Sequence, residues 1–125
     1  ILSYIGKVPS DLPEKLYHKG NPKYREDILK NGLEPRIGDS YSLFYTDNMG
    51  YTKDELEPLV FLYDRNISEY DSTYDDDIYE IDTRKLDKDY LSKDKALPDY
   101  CYTYKDRIWP SAFKLIYKGT GKSDF

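Results

Sequence analysis

The chain has one histidine, His18, and one cysteine, Cys101, so few side chains are available for proton transfer or nucleophilic chemistry. A neutral imidazole can donate to or accept from a ligand hydroxyl, and it titrates near neutral pH. His18 ends the apolar segment Leu16-Tyr17-His18, whereas Cys101 has no neighbouring histidine to activate it and is expected to be a small buried residue. His18 is therefore the first candidate site residue.

Tyrosine is unusually frequent, with 15 copies in 125 residues beside four Phe and one Trp. Because its ring packs while its hydroxyl reaches water, most of these tyrosines are expected to replace phenylalanine in a small core. One or two of them would be enough to stack on a base, a sugar or a nicotinamide ring.

The charge balance disfavours one class of partner. Nineteen Lys and Arg against 24 Asp and Glu give a net charge of -5, which argues against a mainly electrostatic grip on nucleic-acid phosphates. Seven acidic and no basic side chains lie between Glu69 and Asp82, whereas residues 101–125 carry five basic and two acidic ones, which leaves room there for a local anion site. The acidic stretch Asp71–Asp77 lacks the Gly and Glu that an EF-hand requires, and is expected to be a solvated loop.

Length and cysteine content limit the class of protein. A chain of 125 residues can form one domain with its own core, and we predict a single domain over residues 1–125. No apolar run approaches the roughly 20 residues that span a bilayer, so no membrane contact is expected. One cysteine cannot form an internal disulfide, which fits the reducing cytoplasm. Because the chain begins with Ile1, we expect it to be trimmed or a piece of a longer protein.

The beginning of the chain predicts a strand followed by a helix. Lys15–His18 is a strand candidate, and Asn21-Pro22 then opens a helix over about Tyr24–Asn31. Gly32 stands where a helix C-cap belongs, and Pro35 prevents the helix from resuming.

The rest of the chain predicts further strands and little helix. Leu59–Tyr63 is typical of a mid-sheet strand, Thr52–Glu57 is a weak helix candidate, and Asp64–Asp77 and Arg84–Leu97 are expected to be polar connections. The other strand candidates are Ser42–Thr46, Ile78–Asp82, Asp99–Tyr104 and Ala112–Lys118. These elements predict an α+β fold with a small, split, mixed or antiparallel sheet and one main N-terminal helix.

Four motifs occur in an informative order: Leu16-Tyr17-His18, the helix end from Ile28 to Pro35, Tyr45-Thr46-Asp47, and the corner Ile108-Trp109-Pro110. Their order resembles that of the ADP-ribosyltransferase-like family over about residues 15–118. Members of that family commonly have a strand ending in Tyr-His or Arg-His, a helix ending Ile-Leu-x-x-Gly-Leu-x-Pro, and a strand ending in an aromatic or small residue plus Thr and Asp. The resemblance implies that the chain binds NAD and transfers ADP-ribose to a protein, nucleic-acid or small acceptor.

The resemblance also implies roles for particular residues. His18 would bind the ribose of NAD, while Tyr45, with Thr46 beside it, would hold the nicotinamide ring by stacking. The family's third motif is usually a Glu that stabilises the oxocarbenium-like charge as the glycosidic bond breaks. This chain has no Glu at that place, and Asp99 and Glu80 are the two substitutes to consider.

Three other hypotheses stay open. The RNA 2′-phosphotransferases have a similar opening and rely on several arginines, for which Arg36 and Arg107 are the candidates here. The missing Glu favours an inert module of the same fold that binds a nucleotide or a protein. The acidic stretch favours a protein that occupies a nucleic-acid site on a basic partner. The acceptor and the oligomeric state are left open by the sequence.

Overall fold

The protein forms one antiparallel sheet of six strands with two α-helices, over residues 12–64 and 75–121, which this computed structural model describes. The predicted α+β class is confirmed, and of the two sheet types expected, mixed or antiparallel, every described pairing is antiparallel. The described strands form one sheet, so the expectation of a split sheet is corrected. The strand order is β4-β5-β2-β1-β3-β6. The strands are β1 Lys15–Gly20, β2 Val60–Tyr63, β3 Asp77–Asp82, β4 Leu91–Lys93, β5 Cys101–Tyr104 and β6 Phe113–Tyr117, and the helices are α1 Arg25–Asn31 and α2 Asp39–Asn48.

The two faces of the sheet carry different side chains. Leu16 pairs with Ile81 and His18 with Tyr79, so these four side chains share one face. That face carries the hydrophobic core, which Leu33 and Ile108 complete from the connecting segments. On the opposite face, α2 packs against β2, with the Tyr41 and Phe61 ring centroids 4.9 Å apart.

The N-terminal strand and helix form as the sequence predicts. The Asn21 side chain accepts from the backbone N–H of Lys23 at 3.0 Å and opens a short 3-10 turn, Pro22–Tyr24, which leads into α1. The helix ends at Gly32, whose N–H donates to the Ile28 carbonyl at 2.9 Å. Leu33 then exchanges backbone hydrogen bonds of 2.9 Å with Ile108, which fixes the chain leaving the helix against the later corner.

Gly32 is needed at this helix end, which gives a first prediction. Its φ is +93°, and a Cβ added there would collide with the backbone carbonyl of Ile108. Gly32→Ala is therefore expected to lower the free energy of unfolding by about 2 kcal/mol, as measured by urea titration. The control is Gly38→Ala, because Gly38 has a φ of -82° and no atom within 4 Å of an added Cβ. Equal losses in the two variants would contradict the proposed collision.

One predicted strand is wrong. Residues 42–46 lie inside α2, where the Thr46 hydroxyl donates to the Ser42 carbonyl at 2.8 Å, one helical turn earlier. Residues 42–46 are predicted as a strand because this segment is short and rich in apolar and aromatic side chains. Tyr41 and Tyr45, however, are four residues apart and share one helix face, whereas Leu43 is 60% exposed.

The other predicted strands are confirmed with different first or last residues, and the weak helix candidate and the second connection differ from what is predicted. β2 lies mid-sheet between β1 and β5, and the later predicted strands appear as β3, β5 and β6. The weak helix candidate is a 3-10 turn, Lys53–Glu55, closed by a capping box between Thr52 and Glu55. The connection predicted over Arg84–Leu97 contains an unexpected strand, β4, and most of the acidic stretch lies outside the described residues. Neither helix in the described ranges is long and apolar enough to cross a bilayer.

Candidate functional site

A cleft of about 460 Å³ lies at the junction of β1 and β2. The two strands pair at Tyr17 and Tyr63, and the cleft opens beside the end of β1 and the start of β2. α1 and the first turn of α2 supply its walls. The segment between the helices crosses its edge, because Arg36 and Leu59 exchange backbone hydrogen bonds of 3.1 Å.

His18 lies in this cleft and is held by the backbone. Its Nδ1 is 2.8 Å from the carbonyl oxygen of Phe61. Burial lowers the pKa of His18, and this effect outweighs the Phe61 carbonyl and the negative charge of Asp76, which raise it. The imidazole is therefore neutral at pH 7. Because a carbonyl can only accept, Nδ1 carries the hydrogen and Nε2 is an acceptor for a ligand O–H or N–H group.

The charged side chains around the cleft are mostly acidic. Lys19 and Arg36 are its two basic residues, and the Lys19 ammonium is 3.6 Å from the Asp76 carboxylate. Arg36 is exposed at the rim, with its guanidinium 5.5 Å from the centre of the Tyr24 ring and 3.9 Å from Glu34. Four carboxylates line the cleft: Asp27, Glu34, Asp39 and Asp76. A ligand that fits would therefore carry few negative charges, placed near Arg36.

Aromatic side chains form much of the remaining wall. Tyr24 lies beside α1, Tyr41 is in the first turns of α2, and Phe61 and Tyr63 project from β2. The Tyr41 hydroxyl donates to the Glu57 carbonyl at 2.9 Å, which fixes its ring against Phe61. These rings offer flat apolar surfaces on which a heterocycle can stack.

Two predicted site residues lie outside the cleft because they belong to a helix and not to a strand. Tyr45 is 5% exposed, its hydroxyl donates to the Asp94 carboxylate, and its ring lines a separate smaller cavity. Thr46 donates to the backbone of its own helix and lines neither cavity. Tyr45 is therefore not placed to stack on a ligand in the cleft.

The two predicted carboxylates also lie away from the cleft. Glu80 follows Tyr79, the residue paired with His18, so its side chain points to the opposite face of the sheet. There it is 3.5 Å from Lys15 and 3.6 Å from Lys114. Asp99 is exposed in the turn before β5 and does not line the cleft. Of the predicted site residues, His18 and Arg36 thus line the cleft, whereas Glu80 and Asp99 do not.

Sequence reasoning missed Phe61 and Tyr63 as site residues. Leu59–Tyr63 is predicted as a central strand, but Tyr63 pairs with Tyr17, so Tyr63 and Phe61 lie on the face opposite His18. Alternation along the strand therefore gives no signal that they line the same cleft as His18. Tyr41 gave no signal either, because its place depends on α2. Comparison with protein-family models, curated proteins and solved structures gave no match for this chain.

Proposed function

We propose that the protein is an ADP-ribosyltransferase-like domain that binds NAD in this cleft. The observation that carries the proposal is the neutral His18, which the Phe61 carbonyl fixes so that Nε2 accepts a hydrogen bond. A ribose hydroxyl is a suitable donor for Nε2. The sequence resemblance implies this contact independently of the cleft.

The other parts of the cleft suit the rest of the ligand. Its volume of about 460 Å³ lies within the roughly 300–1,000 Å³ typical of small-molecule sites. Tyr41, Phe61 and Tyr63 offer stacking surfaces for the nicotinamide ring, and Arg36 at the rim offers the guanidinium that a diphosphate prefers. Arg36, which the sequence offers as a phosphate contact, would in this arrangement bind the diphosphate of NAD.

A second candidate function, NAD binding without cleavage, is favoured by the positions of Glu80 and Asp99. Transfer of ADP-ribose needs a negative charge close to the ribose as the glycosidic bond breaks. Neither of these carboxylates lines the cleft, and Asp76 is the cleft carboxylate whose charge acts on His18. If the domain transfers ADP-ribose, Asp76 is therefore the first carboxylate to replace.

The cleft does not favour RNA 2′-phosphate as the ligand. Among the arginines that the structure describes, Arg36 is the only one lining it. Arg25 is engaged by Asp77, Arg84 by Asp82, and Arg107 by Glu34 and the Asn31 carbonyl. The cleft therefore lacks the several arginines on which the RNA 2′-phosphotransferases rely.

The test is a calorimetric titration of the protein with NAD, with free nicotinamide measured in the same sample. The proposal expects saturable binding. Release of nicotinamide would assign transfer or hydrolysis, and binding with intact NAD would assign the binding module. Absence of binding at millimolar NAD would refute the proposed function.

A further inference from the structure

A second cavity, of about 280 Å³, lies under α2 on the face of the sheet opposite the core. α2, β2 and β5 surround it, together with the turn that follows β4. Five aromatic rings line it and are here named the aromatic box: Tyr41, Phe44, Tyr45, Phe61 and Tyr63. Ala96, Leu97, Cys101 and Asp94 complete the lining.

The rings of the aromatic box stand at steep angles to one another. Tyr41 and Tyr45 are 4.7 Å apart between centroids at 88°, and Tyr41 and Phe61 are 4.9 Å apart at 69°. Phe44 and Tyr45 are 6.3 Å apart at 61°. Rings set at such angles can surround a group from several sides, unlike a parallel stack.

Behind the rings lies a carboxylate, Asp94, that has no cationic partner. It is 3% exposed, and it accepts hydrogen bonds from the Tyr45 hydroxyl and, at 3.1 Å, from the Leu97 N–H. Within residues 12–64 and 75–121 no lysine or arginine forms an ion pair with it. The following residue, Lys95, instead places its ammonium 5.5 Å from the centre of the Tyr51 ring. Buried carboxylates are usually paired, so this one leaves a place for a cation.

Three other ionisable side chains of the cavity have raised pKa values. Burial raises the pKa of Tyr63 to about 12, and burial followed by the charge of Asp94 raises the pKa of the Cys101 thiol. Burial likewise raises the pKa of Tyr45, as does its hydrogen bond to Asp94. These three side chains are therefore neutral at pH 7.

We propose that the aromatic box binds a compact quaternary ammonium group. The faces of aromatic rings attract organic cations, and such a cation keeps its charge without needing hydrogen-bond acceptors. The volume of 280 Å³ is below the roughly 300–1,000 Å³ of drug-sized ligand sites, so the cavity suits a single head group. Tyr41, Phe61 and Tyr63 also line the proposed NAD cleft, but His18 and Arg36 do not line the aromatic box, so a His18 variant distinguishes the two sites.

The test compares choline with its neutral isostere 3,3-dimethylbutan-1-ol by NMR titration of the whole chain. Choline is expected to bind at least about tenfold more tightly, because the two differ in charge but hardly in shape. Phe44→Leu removes a ring that is 43% exposed, keeps its apolar character, and is expected to weaken choline binding by about fivefold or more. The matched control is Tyr90→Leu, which removes a ring that is 41% exposed and lies outside the cavity, and which should leave choline affinity unchanged.

Equal affinity for choline and its neutral isostere, or unchanged choline binding by Phe44→Leu, would overturn the proposal. Binding of the planar cation N-methylnicotinamide with no binding of choline would also overturn it, and would assign the cavity to a pyridinium ring. A peptide carrying trimethyllysine distinguishes the source of the group. Tighter binding of this peptide than of choline supports a protein tail, and the reverse supports a free small molecule. His18→Ala should leave choline binding intact, which separates this site from the proposed NAD cleft.

Discussion

Asp77→Ala is expected to lower the free energy of unfolding by about 3 kcal/mol. Asp77 is fully buried, and its two oxygens accept from Nη2 and Nε of Arg25 at 2.7 and 2.8 Å. The Gly119 N–H donates to the same carboxylate at 2.8 Å. Removing one partner of a buried pair costs roughly 3–5 kcal/mol, and the lower end applies because the Arg25 side chain is 27% exposed and can return to water. Urea titration at pH 7 measures the loss.

The matched control for Asp77 is Asp82→Ala on the same strand. Asp82 also binds an arginine through two hydrogen bonds, both of 3.0 Å. Its partner Arg84 is 72% exposed, so the pair is screened by water and the loss of stability should be much smaller. Equal losses of unfolding free energy in Asp77→Ala and Asp82→Ala would contradict the larger contribution expected of the buried Arg25–Asp77 pair. Arg25 is the first residue of α1, which forms one wall of the cleft. Asp77→Ala therefore also tests whether the Arg25–Asp77 pair holds α1 in place.

The effect of Asp77 should depend on pH. Burial pushes its pKa up, but Arg25, Gly119 and Tyr79 together outweigh this and hold the pKa below its ordinary value of 3.8. A carboxyl with a lowered pKa stabilises the fold above its unfolded pKa, and this contribution is lost as the pH falls through the folded pKa. The difference in stability between wild type and Asp77→Ala should therefore narrow below about pH 4. A constant difference from pH 7 to pH 3 would contradict this.

His18→Ala is expected to weaken NAD binding by about 10- to 100-fold. The variant removes the acceptor for the ribose hydroxyl and leaves the Phe61 carbonyl without its side-chain partner. Only the loss of the acceptor enters the affinity, because the Phe61 carbonyl lacks its partner with and without NAD; this loss costs roughly 1–3 kcal/mol, and 1.4 kcal/mol corresponds to a factor of ten in Kd. Calorimetry gives the affinity. A cooperative urea transition shows that the variant is folded, and unchanged affinity in a folded variant would rule out the role of His18.

Two further measurements test the role of His18 in NAD binding. His18→Gln keeps both a donor and an acceptor, so it should retain more affinity than His18→Ala. Because burial lowers the pKa of His18 from 6.5 and Nε2 must be unprotonated to accept, NAD affinity should change little from pH 8 to about pH 7. It should fall only at lower pH, as the imidazole gains a proton. An affinity that rises on acidification would contradict binding to the neutral form.

The sequence predicted the part of the site that depends on local signals. Asn21, Pro22 and Gly32 mark the limits of the helix region following β1, and each acts on its immediate neighbours. These signals place His18 in β1 and Arg36 after the helix exit. Both residues line the cleft as a result.

The missed parts depend on contacts between distant residues. The strand predicted over residues 42–46 is wrong because α2 is stabilised by contacts such as Tyr41 with Phe61 and Tyr45 with Asp94, which no local pattern reveals. The place of Glu80 depends on the register of β3 against β1, since a shift of one residue would reverse its face. Asp94 lay in a connection read as charged and solvated, and its burial follows from β4 and α2.

The central claim is that NAD binds at His18, and proton NMR of the chain without any added histidine tag tests it most directly. His18 is the only histidine in the sequence, so its imidazole Cε1–H resonance can be followed without further assignment. Addition of NAD is expected to shift this resonance saturably and to lower the pKa of His18 further, because the ligand binds the neutral imidazole. A resonance and a pKa that stay unchanged at saturating NAD would contradict the claim.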